Sequence, residues 1–452
     1  MNYPRILFAA ASSGNGKTTI VSGILQALTN KGFKVSSFKC GPDYIDPMFH
    51  SKAIGTKSRN LDAYFVPEDV MRYLFARNAV GSDISIIEGV MGFYDGIGAD
   101  STEGSSYDIS EKLKAPVILI VDCRGAAISC IAQIKGFKEF RNNRIAGVIM
   151  NRISFKMYEK LKPLVERELN IKVIGYVPVT KVFTLESRHL GLIMPDEMAD
   201  IKEKLSELAE LIMETVDLNA LLSIASTAEG ISWRDPQVRT ADGCARIGVA
   251  SDEAFCFEYA DNIELLERCG AEIVRFSPIY DDRLPEVDGL IFYGGYPELK
   301  AKDLSSNTRM IQNIRYKLES GMPCLAECGG LMYLGKEIID TDGESWPMVN
   351  VIDSKFSDSG KLSRFGYTEL CSEKNSMILP AQGVVRGHEF HRWDGDNCGN
   401  AFRATKTNGD SYRCMFSMNN IVAGFPHLYY YSNPEVPCRF VEACIEYSKK
   451  SS

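Results

Sequence analysis

Long apolar runs are missing from this sequence. No stretch approaches the roughly 18 apolar residues that a membrane helix requires, so no membrane span is expected. The opening MNYPRILFAA has no basic region ahead of a longer apolar run and does not read as a secretory leader. The thirteen cysteines form no CxxC pair and keep no regular spacing. An odd count without a leader fits reduced thiols in a cytoplasm better than a disulfide framework. A long basic tract is also absent and the formal net charge is −8, which removes nucleic acid from the expected partners. Internal repeats and low-complexity segments are lacking too.

What is present reads as a soluble globular chain, 45% apolar and 24% charged. Its 452 residues exceed one ordinary core and predict two or three domains. In the first half, RILFAA (5–10), KVSSFKC (34–40), DISIIEG (83–89), PVILIVD (116–122), IAGVIMN (145–151) and KVIGYVP (172–178) are near-continuous apolar runs. Strands of a parallel sheet covered on both faces have this pattern. Between the first two, Ile20, Ile24 and Leu28 repeat at helical spacing and Gly32 suits a C-terminal cap. The alternation predicts a doubly wound α/β domain. The rhythm lapses in a polar, turn-rich segment, so the reading is a first domain over 1–223, a linker over 224–244 and a second domain over 245–452. The second domain opens another α/β series with RIGVAS (246–251), EIVRFSP (272–278), GLIFYGG (289–295) and MPCLAEC (322–328), then turns to shorter strands from about 346.

ASSGNGKT (11–18) joins the first strand to the first helix. Gly14 and Gly16 let backbone N–H groups turn around phosphate oxygens, and the helix N-terminus adds partial positive charge. Ser13, Gly14, Asn15, Gly16, Lys17, Thr18 and Thr19 are therefore the expected nucleotide cradle, with Lys17 on the terminal phosphates. The strict GxxxxGK(S/T) pattern fails at its first glycine, which is Ala11. A glycine-rich turn without ligand is the bland alternative; it does not explain strand, loop, Lys-Thr-Thr and amphipathic helix arriving in order. Partitioning and septum-site ATPases carry an additional lysine early in the loop, where this chain has Ala-Ser-Ser; the loop looks more like that of dethiobiotin synthetase. CGPDYIDPMFH (40–50) and IEGVMGFYDG (87–96) follow the next strands and place Asp43, Tyr44, Asp46, His50, Glu88 and Asp95 where open α/β sheets bind ligands. Thr18, Asp43 and Glu88 could together supply hard oxygens to magnesium, although Asp and Gly at strand ends also simply make turns.

In the second half, MPCLAECGGLMYL (322–334) reads strand, sharp turn, helix, with Cys328 at the apex. A thiol there is expected to be exposed and acidified by the helix N-terminus. Thiolate attack on a carboxamide needs donors for the oxyanion, and Gly294, Gly295 and Gly329 offer backbone N–H groups. His427, after a late strand, is the expected base. Most cysteines are small buried hydrophobes, but this one has the turn, the strand and a separate glycine pair. Arg386 and His388 in RGHEFHRW (386–393) lack the HExxH zinc spacing and read as carboxylate contacts or as a solvated polar face.

Together ASSGNGKTT, FKCGPDYIDPMFH, NLD (60–62), IEGVMGFYDG, ESRHLGL (186–192), FYGGYPE, AECGGLMYL and RGHEFH resemble the cobyrinic acid a,c-diamide synthase family, from about residue 4 to 445. The resemblance implies a dethiobiotin-synthetase-like P-loop domain followed by a class I glutamine amidotransferase-like domain, both doubly wound α/β. It implies ATP-dependent amidation of the a and c carboxylates of cobyrinic acid through acyl phosphates, using ammonia from glutamine. ATP and magnesium are the implied cofactors, cobyrinic acid and glutamine the partners, with a homodimer as the assembly left open. Gly14, Gly16, Lys17 and Thr18 would hold ATP phosphates, Asp43 and Glu88 magnesium, Cys328 and His427 the glutaminase chemistry. Tyr44, Asp46, His50, Asp95, Arg188, His189, Arg386 and His388 would lie about the substrate. The chain departs from the family at Tyr293, where a third glycine is usual, and at His427-Leu428-Tyr429, where a His-x-His is common. Class I amidotransferases place a Glu two residues after the histidine; here it is Tyr429, so a third triad member is not named. Two other readings stay open: the same reaction on nickel-sirohydrochlorin and, from another class, a non-enzymatic nucleotide switch. Cobyric acid synthase fits the CGPDYIDP and RGHEFH wording less well.

Overall fold

The computed structural model describes residues 3–179, 187–188, 191–192 and 200–451. The chain divides into two compact units, parting between Pro236 and Gln237.

The apolar runs of the first unit become β1 (Arg5–Ala10), β2 (Val35–Cys40), β4 (Ile84–Glu88), β5 (Val117–Asp122), β6 (Ile145–Asn151) and β7 (Lys172–Val177). A strand that hydropathy does not announce, β3 (Lys57–Leu61), adds a polar edge. The sheet order is β3-β2-β4-β1-β5-β6-β7, parallel throughout. Every residue of β1 is buried, including Arg5, whose guanidinium donates to the carbonyls of Leu113 and Tyr3 at 2.7 and 2.8 Å. Those bonds are what allow a cation in a buried strand. The helix α1 (Lys17–Asn30) buries Ile20, Ile24 and Leu28 as the spacing predicts, and Gly32 follows at φ 84°. Gly23 lets α1 close on the helix Ile201–Thr215: a Cβ there would stand 2.9 Å from Leu208 Cγ. A short antiparallel pair, β8 (Ser187–Arg188) and β9 (Gly191–Leu192), lies late in this unit. Helix Leu218–Ser226 covers 224–226 of the segment read as linker, and no helix or strand follows before residue 245.

In the second unit β10 (Ala245–Ala250), β11 (Ala271–Phe276), β12 (Gly289–Phe292) and β13 (Cys324–Glu327) join strands Ile421–Gly424 and Phe416–Ser417 in the order β11-β10-β12-β13, Ile421–Gly424, Phe416–Ser417. All neighbours are parallel except the last pair. The later strands form a four-stranded sheet and a five-stranded antiparallel sheet; in the second, Val384–His391 pairs with His427–Leu428, setting His388 opposite His427. Among the described residues no helix is long and apolar enough to cross a membrane, and the thirteen cysteines are free.

Candidate functional site

Two centres arise, one in each unit. In the first, Gly14 and Gly16 take φ of 77° and 90°, a left-handed backbone that side chains resist. The loop is braced from β6 and the residue after it: Asn151 Nδ2 donates to the Asn15 carbonyl at 2.8 Å and Arg152 Nη2 to the Gly14 carbonyl at 2.9 Å. Neither brace is named by the loop motif. Ser13 and Gly14 are exposed, while Lys17 is buried and folds its ammonium onto the carbonyls of Met91 and Ser12 at 2.6 and 3.1 Å. Burial, and next the charge of Lys39, lower the Lys17 pKa to about 8.

Thr18 Oγ1 donates to Glu88 Oε1 at 2.6 Å, so the end of β4 and the start of α1 meet as the sequence predicts. Between them and the CGPDYIDP loop stands Lys39, which motif reading passes over. Its Nζ lies 2.5 Å from Asp46 Oδ2, 2.7 Å from Glu88 Oε1 and 4.0 Å from Asp43 Oδ2. Burial alone would strip the proton from Lys39; Asp46 and Glu88 overcome it and hold the ammonium well above its ordinary pKa. Burial likewise would raise the Asp46 carboxyl, and Lys39 brings it below its usual range. Asp43, raised to about 7 by burial and the Asp46 charge, accepts the Ile45 and Asp46 N–H groups. His50 is buried with Nε2 3.6 Å from Glu88 Oε2, and burial lowers its pKa. Tyr44 is half-buried on the same loop, while Asp95 accepts the Gly92 N–H at 2.9 Å. Arg188 is described through its backbone only, and His189 lies outside the described residues.

The donor set suits magnesium: Thr18 and Glu88 offer hard oxygens side by side, and Glu88 Oε2 is buried without a hydrogen bond. Asp43 is joined to them through Lys39. Among the described residues no three His, Cys, Asp or Glu side chains group to hold an ion alone. Magnesium keeps water and phosphate oxygens in much of its shell and does not need such a cage.

In the second unit, β13 ends at Glu327 and Cys328 follows at φ 49°, ψ −107°, a strained turn for a residue with a side chain. The Cys328 N–H donates to the Gly424 carbonyl at 2.7 Å, which anchors the turn on the neighbouring strand. A Cβ placed on Gly294 would lie 3.2 Å from His427 Nε2 and 3.3 Å from Cys328 Cβ. The glycine is thus the space in which thiol and imidazole meet. Gly329 packs its Cα face on Pro297 and on the Gly295 nitrogen, with a built Cβ 2.8 Å from Pro297 Cδ and 3.3 Å from Gly295 N. Two of the three expected oxyanion donors, Gly295 and Gly329, are therefore neighbours.

The electrostatics reverse one expectation. The thiol is buried rather than exposed, and burial, followed by the nearby Glu298, pushes its pKa far up despite the Gly329 N–H donated to the sulfur. The following helix, Gly329–Leu334, spans six residues and is too short to offset that desolvation. His427 is lowered to about 3 by burial and then by His388 and His391. The resting pair is a neutral thiol and a neutral imidazole. Because the shift is downward, His427 stays an unprotonated base across the whole physiological range. In a 13C-histidine-labelled sample, the resonance missing in His427→Asn is expected to hold its position from pH 8 to pH 5. An inflection near the ordinary 6.5 would mean that the ring is hydrated. His388 sits between Phe365 and Tyr367, at 5.7 and 5.6 Å, and Arg386 pairs with Glu369 at 3.5 Å. Both belong to the second unit, where His388 is paired opposite His427 in the sheet.

Fold and sites together define a nucleotide-binding α/β domain followed by a glutamine amidotransferase domain. Residues 6–193 match the CobQ/CobB/MinD/ParA nucleotide binding domain, and residues 246–435 the CobB/CobQ-like glutamine amidotransferase domain. The cobyrinate a,c-diamide synthase of Thermoplasma volcanium is 39% identical over 455 residues, covering 100% of this chain and 99% of that protein. That of Listeria innocua is 39% identical, covering 96% and 97%, and that of Salmonella typhimurium 41% identical, covering 86% and 85%. The chain belongs to the cobyrinate a,c-diamide synthase family.

Proposed function

We propose that this chain is an ATP-driven ligase that moves the amide nitrogen of glutamine onto the a and c carboxylates of cobyrinic acid. The observation that carries the reading is the meeting of Cys328 and His427 over Gly294, in a chain that also has a braced phosphate loop. In the first unit, Ser13 to Thr19 cradle the ATP phosphates, with Lys17 on the terminal ones. Thr18 and Glu88, with Asp43, hold magnesium, which neutralises phosphate charge when bound. A carboxylate of the macrocycle takes the terminal phosphoryl group; phosphate then leaves where hydroxide could not. Tyr44, Asp46, His50 and Asp95 lie on loops available to the substrate, and the family resemblance adds Arg188 and His189 to them.

In the second unit, Cys328 gives its proton to His427 and attacks the glutamine amide. The N–H groups of Gly295 and Gly329 meet the developing oxyanion. The glutamyl thioester hydrolyses and ammonia displaces phosphate from the acyl phosphate. His388, beside His427, belongs to this centre in our reading, and Arg386 stands on the same strand. The free thiols are consistent with a cytoplasmic setting.

The named relatives favour the cobalt-pathway acid over nickel-sirohydrochlorin. Purified protein given ATP, magnesium and glutamine is expected to add two amides to cobyrinic acid by mass, with nickel-sirohydrochlorin run in parallel. Faster turnover of the nickel compound would reassign the substrate. ATP hydrolysis without amidation of either would overturn the ligase reading.

A further inference from the structure

The residue two after the histidine is Tyr429, whose hydroxyl lies 3.5 Å from Asp261 Oδ2; it carries no carboxylate to the imidazole. A carboxyl group approaches the ring from elsewhere. Glu327, the last residue of β13, is 1% exposed, and its Oε2 stands 3.9 Å from His427 Nδ1. The Cε1–Nε2 edge of the ring, with Cε1 nearest, borders the Gly294 space shared with Cys328 Cβ. Nucleophile on Nε2 and carboxylate on Nδ1 is the division of labour of a Cys-His-acid triad. Glu327 is held in place: burial raises its pKa well above the ordinary carboxyl range, against which the Leu428 N–H donates to its carboxyl, while Oε1 is buried with no hydrogen-bond partner. The strained turn at Cys328 is what lets consecutive residues flank one ring from both sides.

We propose that Glu327 is the third member of the glutaminase triad, a positioning residue that orients His427 through Nδ1. The inference rests on the amidotransferase reading above. The thiol proton passes to Nε2 as the Sγ–C bond forms. The C–N bond then breaks, with Nε2 returning the proton to the leaving ammonia, and water releases glutamate from the thioester. Throughout, Glu327 stays on the Nδ1 side and transfers nothing.

The test compares amidation of cobyrinic acid from glutamine and from ammonium chloride in the full chain. Wild type is expected to use both donors; failure with glutamine alone would sink the glutaminase reading before any variant is made. Glu327→Gln is expected to lose on the order of 100-fold or more in kcat with glutamine, with the glutamine KM within about threefold and the ammonia-dependent rate unchanged. Glu327→Asp, which keeps the carboxyl group, is expected to recover at least tenfold over Glu327→Gln. Retention of half the wild-type kcat by Glu327→Gln would overturn the proposal. So would equal loss in both variants, or equal loss with both donors, since these are the marks of a packing role.

Discussion

Cys328→Ala is expected to abolish glutamine-dependent amidation, at least about 1,000-fold in kcat, while leaving the ammonia-dependent rate within twofold of wild type. The size follows from the role: without the sulfur no thioester forms, and loss of a nucleophile in such a unit removes most of its rate acceleration. The selectivity follows from the chain dividing into two compact units, with the phosphate loop in the other one. The substitution is mild for the fold. Alanine and cysteine meet the same resistance at φ 49°, and only one buried sulfur is lost, worth on the order of 1 kcal/mol. The measurement is amidation from each donor, scored by mass. Loss with both donors would mean that Cys328 holds the protein together rather than attacking glutamine. Survival with glutamine would send the nucleophile search to another of the free thiols.

Most of this was legible in the residues for a definite reason. Buried parallel strands must be apolar on both faces, so β1, β2 and β4 to β7 read directly as runs. The loops at their ends carry the turn chemistry that marks a ligand edge. β3 did not read, because its edge position lets KSRNL stay polar. What motif reading cannot supply is distance and solvation. Helix position predicts an acidified Cys328, but burial decides the sign. Glu327 is adjacent to Cys328 in sequence, yet its approach to His427 depends on the register that sets Glu327 beside Gly424. Lys39 carries a signal of its own. A lysine inside a buried strand is rarely left unpaired, and the loop seven residues on holds its partner, Asp46.

That lysine carries the second large effect. Lys39→Met is expected to destabilise the first unit by about 3 kcal/mol or more at pH 8, because removing one partner of a buried ionic cluster leaves the others charged and uncompensated. Methionine keeps the length and the apolar stem, so the loss reports charge rather than volume. The sign with pH can be worked out. In wild type the Lys39 pKa is raised above its unfolded value, so its contribution is fully present below about 10.5 and fades only as pH rises beyond that. In the variant, Asp46 has lost the cation at 2.5 Å that holds its pKa down and takes up a proton more readily. The folded variant therefore gains protons relative to its unfolded chain as pH falls, and the gap to wild type is expected to narrow between pH 8 and pH 5.5. Urea denaturation of both proteins at the two pH values measures it, read on the transition that ATP shifts. Adding Asp46→Asn to Lys39→Met is expected to restore part of the loss, since it deletes a stranded charge. A midpoint unchanged at pH 8 would mean that water reaches this cluster and screens it. Because Glu88 Oε1 is shared between Lys39 and Thr18, the same cation that steadies the unit also holds the carboxylate that faces the nucleotide loop. Stability and ATP turnover should therefore fall together in Lys39→Met and recover separately in the double variant.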